Sequence, residues 1–163
     1  MKKKTVKWAV FLAILLTLVL FCKWYTRPLP FEYFFPYADL VTEIKVNFWV
    51  GEDGCDLTTE DPRFDTLMNL FEEAQYRRSL CNLFLKDRFQ YAEESGGYWH
   101  CMMHIEESVP CEGGTGSGDV FQMENFFGHL RFRNGLIGDG KTWYLNMADQ
   151  QAFCDAVEQL LKS

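Results

Sequence analysis

The chain has 163 residues, with 16 Lys and Arg against 23 Asp and Glu and a net charge of −7. That length suits one hydrophobic core, and the acidity sets the domain against nucleic acid, anionic lipid and wall polymer, with Arg77-Arg78 and Arg131-Arg133 too few for an overriding basic patch. The balance is uneven, because residues 1–23 carry +5 while residues 24–163 hold 11 basic and 23 acidic side chains.

Lys2, Lys3, Lys4 and Lys7 precede Trp8 to Cys22, fifteen residues without a charge, and Lys23, Trp24 and Tyr25 close the stretch. Twenty helical residues, Val6 to Tyr25, cover about 30 Å once Lys7 and Lys23 snorkel, enough to cross a bilayer. A cleavable signal needs small residues at the cleavage site, but Leu20-Phe21-Cys22-Lys23-Trp24-Tyr25 is bulky throughout. Lipidation at Cys22 would usually follow Gly, Ala or Ser, and Phe21 stands there. An uncleaved anchor is therefore expected ahead of a lipoprotein or a cleaved signal. The positive flank predicts a single pass of the cell membrane, with the N-terminus cytoplasmic and the C-terminal domain extracytoplasmic.

The expected organisation is a basic tip and membrane anchor over 1–25, a Pro/aromatic linker over 26–38 and an α+β domain over 39–163. In the linker, Pro28, Pro30 and Pro36 impose stiffness, and Phe31, Tyr33, Phe34, Phe35 and Tyr37 crowd five rings into seven residues. Such rings either pack under the domain, as expected for Phe31 and Phe34, or serve the membrane interface or another envelope protein.

Leu40 to Val50 alternates with period two, placing Leu40, Thr42, Ile44, Val46, Phe48 and Val50 on one face of a strand. Gly51 to Gly54 signals a turn. Asp61-Pro62 starts a helix, carboxylate at the N-cap and proline at N1, and Phe64, Leu67, Leu70, Phe71 and Ala74 form its stripe. Residues 80–95 fit a helix or a strand. Tyr98–Glu106, Val120–Phe127 and His129–Arg133 read as strands, with hairpin signals at Asn134-Gly135 and Asp139-Gly140 and a last strand over Thr142–Leu145. Phe153, Val157, Leu160 and Leu161 line a closing helix beginning near Asn146. The fold predicted is α+β: an N-terminal transmembrane helix, then a curved antiparallel sheet with two helices packed on one face. Ile44, Phe48, Leu67, Phe71, Trp99, Val157 and Leu160 are its expected core.

The basic anchor, the Ile44-Lys45-Val46 strand, a helix ending near Tyr76-Arg77-Arg78 and a closing Asp139-Gly140-Lys141-Thr142-Trp143-Tyr144 strand resemble small uncharacterised membrane-anchored proteins and lipoproteins of Gram-positive bacteria. The resemblance follows the order of elements through most of the domain and implies no activity. It departs from those proteins where they carry a lipobox.

Of the chemistry-bearing patterns, His100, Met102 and His104 share one face of a strand, and imidazole with thioether is a ligand set suited to copper. There is no HExxH and no CxxC. Five cysteines outside the apolar run leave at least one unpaired, and Cys101 and Cys154 are expected as buried free thiols. Glu112 to Asp119 is glycine-rich but lacks the Lys-Ser/Thr of a phosphate loop and the GxSxG of a nucleophile elbow, so it reads as a surface loop. No residue is assigned a catalytic role, and neither a cofactor nor nucleic acid is expected. The sequence supports a membrane-anchored, non-enzymatic binding or sensing domain at the cell envelope, with a copper-type ectodomain using His100, Met102 and His104 as the alternative.

Overall fold

A computed structural model describes residues 2–48, 54–83, 99–126, 129–136 and 140–163. It is an α+β protein: an apolar N-terminal helix, an open antiparallel sheet of eight strands, and two further helices. Helix α1 (Lys2–Tyr25) leads into β1 (Pro28–Leu29), β2 (Val41–Phe48), β3 (Cys55–Thr58), α2 (Pro62–Glu73), β4 (Tyr76–Arg78), β5 (Trp99–Cys111), β6 (Gly114–Phe126), β7 (His129–Asn134), β8 (Lys141–Asn146) and α3 (Gln150–Leu161). The strand order is β1-β4-β8-β7-β6-β5-β2-β3, so β1 and β3 are the edges.

Alternation sorts the sheet into an apolar inner and a polar outer face. Ile44, Val46, Cys101, Met103, Phe121, Met123, Leu130, Phe132, Trp143 and Leu145 are all buried inside. Helix α2 covers this face with Phe64, Leu67, Met68 and Phe71, spaced i, i+3, i+4, i+7, and α3 with Phe153, Val157 and Leu161. Asp61 caps α2 as predicted, accepting from the Arg63 backbone N–H at 2.9 Å, with Pro62 at N1. Helix α3 starts four residues later than Asn146, which ends β8.

Several expectations change. The alternation of β2 breaks at a bulge between Val41 and Glu43, so Val41 turns inward while Leu40 and Thr42 are only half-buried. Phe48 and Leu160 are half-buried against the core rather than within it. Residues 76–78, expected at a helix end, form β4 between β1 and β8, because fully buried Tyr76 fills the core and donates its hydroxyl to the Phe71 carbonyl at 2.7 Å. Glycine-rich 114–119 is strand rather than loop: Gly114, Thr115 and Gly116 pair with Cys111, Pro110 and Val109 beyond the Glu112–Gly113 turn. A side chain at Gly116 would lie 2.9 Å from Leu136, so glycine here admits that leucine against β6. Leu80–Leu83 is a short 3-10 turn. Val50 and the first three residues of the turn expected over 51–54, the rest of 80–95, and Tyr98, Phe127 and Asp139 lie outside the described residues.

The stretch expected as a linker is built into the domain. Leu29, Phe31, Phe34, Phe35 and Ala38 are buried, and β1 pairs with β4. Phe31 meets Phe121 and Phe132 edge-on at 5.5 and 5.7 Å between centroids. Buried Asn134 holds the segment by donating to the Phe34 carbonyl at 2.9 Å. Tyr33 stays exposed and Tyr37 half-buried.

Candidate functional site

Helix α1 is apolar on all sides, and none of Val6–Tyr25 is buried in the protein. Soluble helices turn one stripe to a core, so a twenty-residue helix with no buried side has the form of a membrane span. Its last turn closes through Thr26, whose N–H and hydroxyl both donate to the Cys22 carbonyl. Only Thr26 and Arg27 separate the helix from β1. Arg78 of β4 fastens the joint: its Nε donates to the Tyr25 carbonyl at 3.1 Å, and its guanidinium lies 4.3 Å from the Tyr25 ring centroid and 5.6 Å from those of Trp24 and Tyr33. Arg27 stands on the same Trp24 ring at 5.7 Å. Sequence reasoning missed this cluster, since Arg78 and Tyr25 are 53 residues apart.

The aromatic strip offered to a partner is mostly consumed by packing, with Phe31, Phe34 and Phe35 fully buried and Tyr33 accepting from Arg78.

The outer sheet face carries the predicted His100, Met102 and His104 together, all half-buried. A strand rises about 3.3 Å per residue, which spreads His100 and His104 over roughly 13 Å. A bulge supplies His104 with a neighbour sequence reasoning did not foresee. Between Met103↔Phe121 and His104↔Asp119 the register skips Val120, which turns Asp119 outward opposite His104. Asp119 then bonds His104 Nδ1 at 2.8 Å and Lys45 Nζ at 3.0 Å, and the first of these contacts holds its carboxyl below the usual range, with Lys45 adding to it. His100 is different. Burial lowers its pKa against the pull of Glu124, and its Nε2 has no hydrogen-bond partner among the described residues. Glu124, itself buried, pairs with Arg131 of β7 at 2.6 Å. Among the described residues no three His, Cys, Asp or Glu side chains gather as a metal-binding group.

Two open hollows of about 290 Å³ flank the β6–β7 end. One is polar, lined by Asp119, Gln122 and Arg133; the other, lined by Pro36, Tyr37, Pro110 and Cys111, is more apolar. The second lining also holds Glu112, next to Cys111 in the chain. Cys22, Cys55, Cys101, Cys111 and Cys154 are free thiols; burial pushes Cys101 up and carries Cys154 to about 11. A thiol so raised is a poor nucleophile at neutral pH. The chain matches no family model, no curated protein and no solved structure.

Proposed function

We propose that this protein is a single-pass membrane protein whose α+β domain is held against the outer bilayer surface and acts there by binding, without catalysis. The observation that carries the reading is the all-round apolar helix joined to the edge of the sheet through two residues. The lysine-rich flank favours a cytoplasmic N-terminus and an extracytoplasmic domain, as the likeness to small anchored proteins of Gram-positive bacteria also implies. The binding surface would be the outer sheet face, where Lys45, His104, Gln122 and Arg133 present a broad polar area rather than a cleft, a form suited to a macromolecular partner. The full chain should remain in membranes through carbonate extraction with the mass of the unprocessed sequence, and half-exposed Cys111 should react with an impermeant maleimide on intact cells. A photo-crosslinker at Gln122 should capture a partner that one at Glu72, on α2, does not. Release by carbonate, loss of 21–25 N-terminal residues, or equal capture at both positions contradicts the reading.

A second reading makes the same face a copper-type site of His100, Met102 and His104. Its support is the unpartnered His100 Nε2 beside a thioether. Strand spacing lets Met102 share a metal with one histidine but keeps His100 and His104 apart, so the test is the copper content of purified protein against a His100→Asn, Met102→Leu variant.

A further inference from the structure

Although residues 24–163 are strongly acidic, the structure brings four cations to the point where the anchor enters the domain. Lys23 ends the apolar helix, Arg27 lies in the two-residue joint, and Arg77 and Arg78 are consecutive on β4, whose partner β1 begins at Pro28 opposite Arg77. Lys23, Arg27 and Arg77 are exposed and Arg78 half-buried. Alternation along β4 places Arg77 and Arg78 on opposite faces of the sheet edge, so the four charges do not line one pocket.

None of the four has a carboxylate partner among the described residues. Elsewhere Lys45, Arg63, Arg131 and Lys162 each pair with a carboxylate, that of Asp119, Asp61, Glu124 and Glu158 respectively. Arg27 and Arg78 moreover share one indole, at 5.7 and 5.6 Å, which keeps two like charges close together. Arg78 spends Nε on the Tyr25 carbonyl and Nη1 on the Tyr33 hydroxyl, at 3.1 and 3.3 Å, and retains Nη2. Two adjacent guanidiniums with spare donors, held by aromatic rings, are relieved by an anion. Phosphate oxygens match them by charge and by planar hydrogen bonding.

We infer that the β1–β4 edge, through Lys23, Arg27, Arg77 and Arg78, is a docking surface for the anionic phospholipid headgroups of the bilayer that α1 crosses. This rests on the membrane-anchor reading above. The same phosphate chemistry exists free in solution, but these residues lie at the joint between the sheet edge and a twenty-residue apolar helix whose Trp24 and Tyr25 have the character of an interfacial belt, which favours headgroup level. Basic groups there attract anionic lipid, while the acidic remainder of the domain is repelled by the same surface. The pair of effects sets the domain upright on its edge.

The test uses the full chain in nanodiscs of phosphatidylcholine mixed with phosphatidylglycerol, with the lipids retained on release counted by native mass spectrometry. Phosphatidylglycerol should be enriched over its share of the disc, and Arg27→Gln with Arg77→Gln, both exposed, should bring the retained lipid back towards the composition of the disc. Lys141→Gln with Lys162→Gln, an equal loss of charge at exposed positions elsewhere on the domain, should leave it unchanged. Absence of enrichment in the parent chain, or an equal fall in both double variants, overturns the inference while leaving the anchor intact. Displacement of phosphatidylglycerol by inorganic phosphate overturns the lipid as occupant. Failure of the parent chain to resist carbonate extraction defeats the anchor reading, and the docking surface with it.

Discussion

Phe35 lies nearly parallel to Phe121, ring centroids 4.6 Å apart and planes 18° from each other. A residue ten positions beyond the end of α1 is thereby stacked on the middle of the sheet, in a cluster that also takes in Phe31, Phe34, Tyr76 and Phe132. Phe35→Ala should lower the unfolding free energy by about 3–5 kcal/mol, the range for truncating a buried phenylalanine. Tyr33→Ala, at an exposed ring, should cost far less. Urea denaturation of both variants checks the contrast, and equal midpoints would show that the segment does not pack.

Phe71 links the two helices, meeting Phe31 at 6.0 Å and Phe153 at 6.2 Å between centroids. Phe71→Ala should also cost about 3–5 kcal/mol. Because Phe31 and Phe71 touch, the double variant should fall short of the summed single effects; strict additivity in a double-mutant cycle would argue against the contact.

What the sequence disclosed depended on range. Local signals sufficed for Asp61-Pro62 and for the alternation of β5, which correctly put His100, Met102 and His104 on one face. Bulges at Thr42 and Val120 are decided by pairing with another strand, so the inward turn of Val41 and the meeting of Asp119 with His104 had no local signature. Glycine's poor strand propensity disguised the tip of β6, whose place in the sheet comes from Val109, Pro110 and Cys111 across the turn. The aromatic stretch showed its need for burial but not its destination, and the Arg78 cluster depends on β4 joining β1 and β8.

Asp61 supplies a pH test. Its carboxyl is held below the usual range by the Arg63 side chain and then by the Arg63 N–H. A carboxyl depressed on folding adds stability above its unfolded value and loses it as pH falls through the folded one. Relative to Asp61→Asn, which keeps a cap acceptor, the parent's advantage should hold at neutral pH and shrink below about pH 4. Denaturation midpoints of the two proteins across that range check it; a constant difference would mean that the ion pair is not felt.

Thiol reactivity should follow burial. Alkylation of the folded protein, mapped by peptide mass, should modify half-exposed Cys111 well before buried Cys101 and Cys154. Early labelling of Cys101 would show that β5 is not covered as described.

The two-residue joint also governs what can reach the sheet. Thr26 and Arg27 span at most about 7 Å, so with α1 in a bilayer the β1 edge stays beside the lipid, where an incoming strand has no approach. Strands spaced by about 4.8 Å place β3 roughly 34 Å away, at the other end of the sheet. With α1 in lipid, the β1 edge would be shielded, and among the described residues Cys55–Thr58 would be the sheet edge left for strand addition by a partner or a second copy.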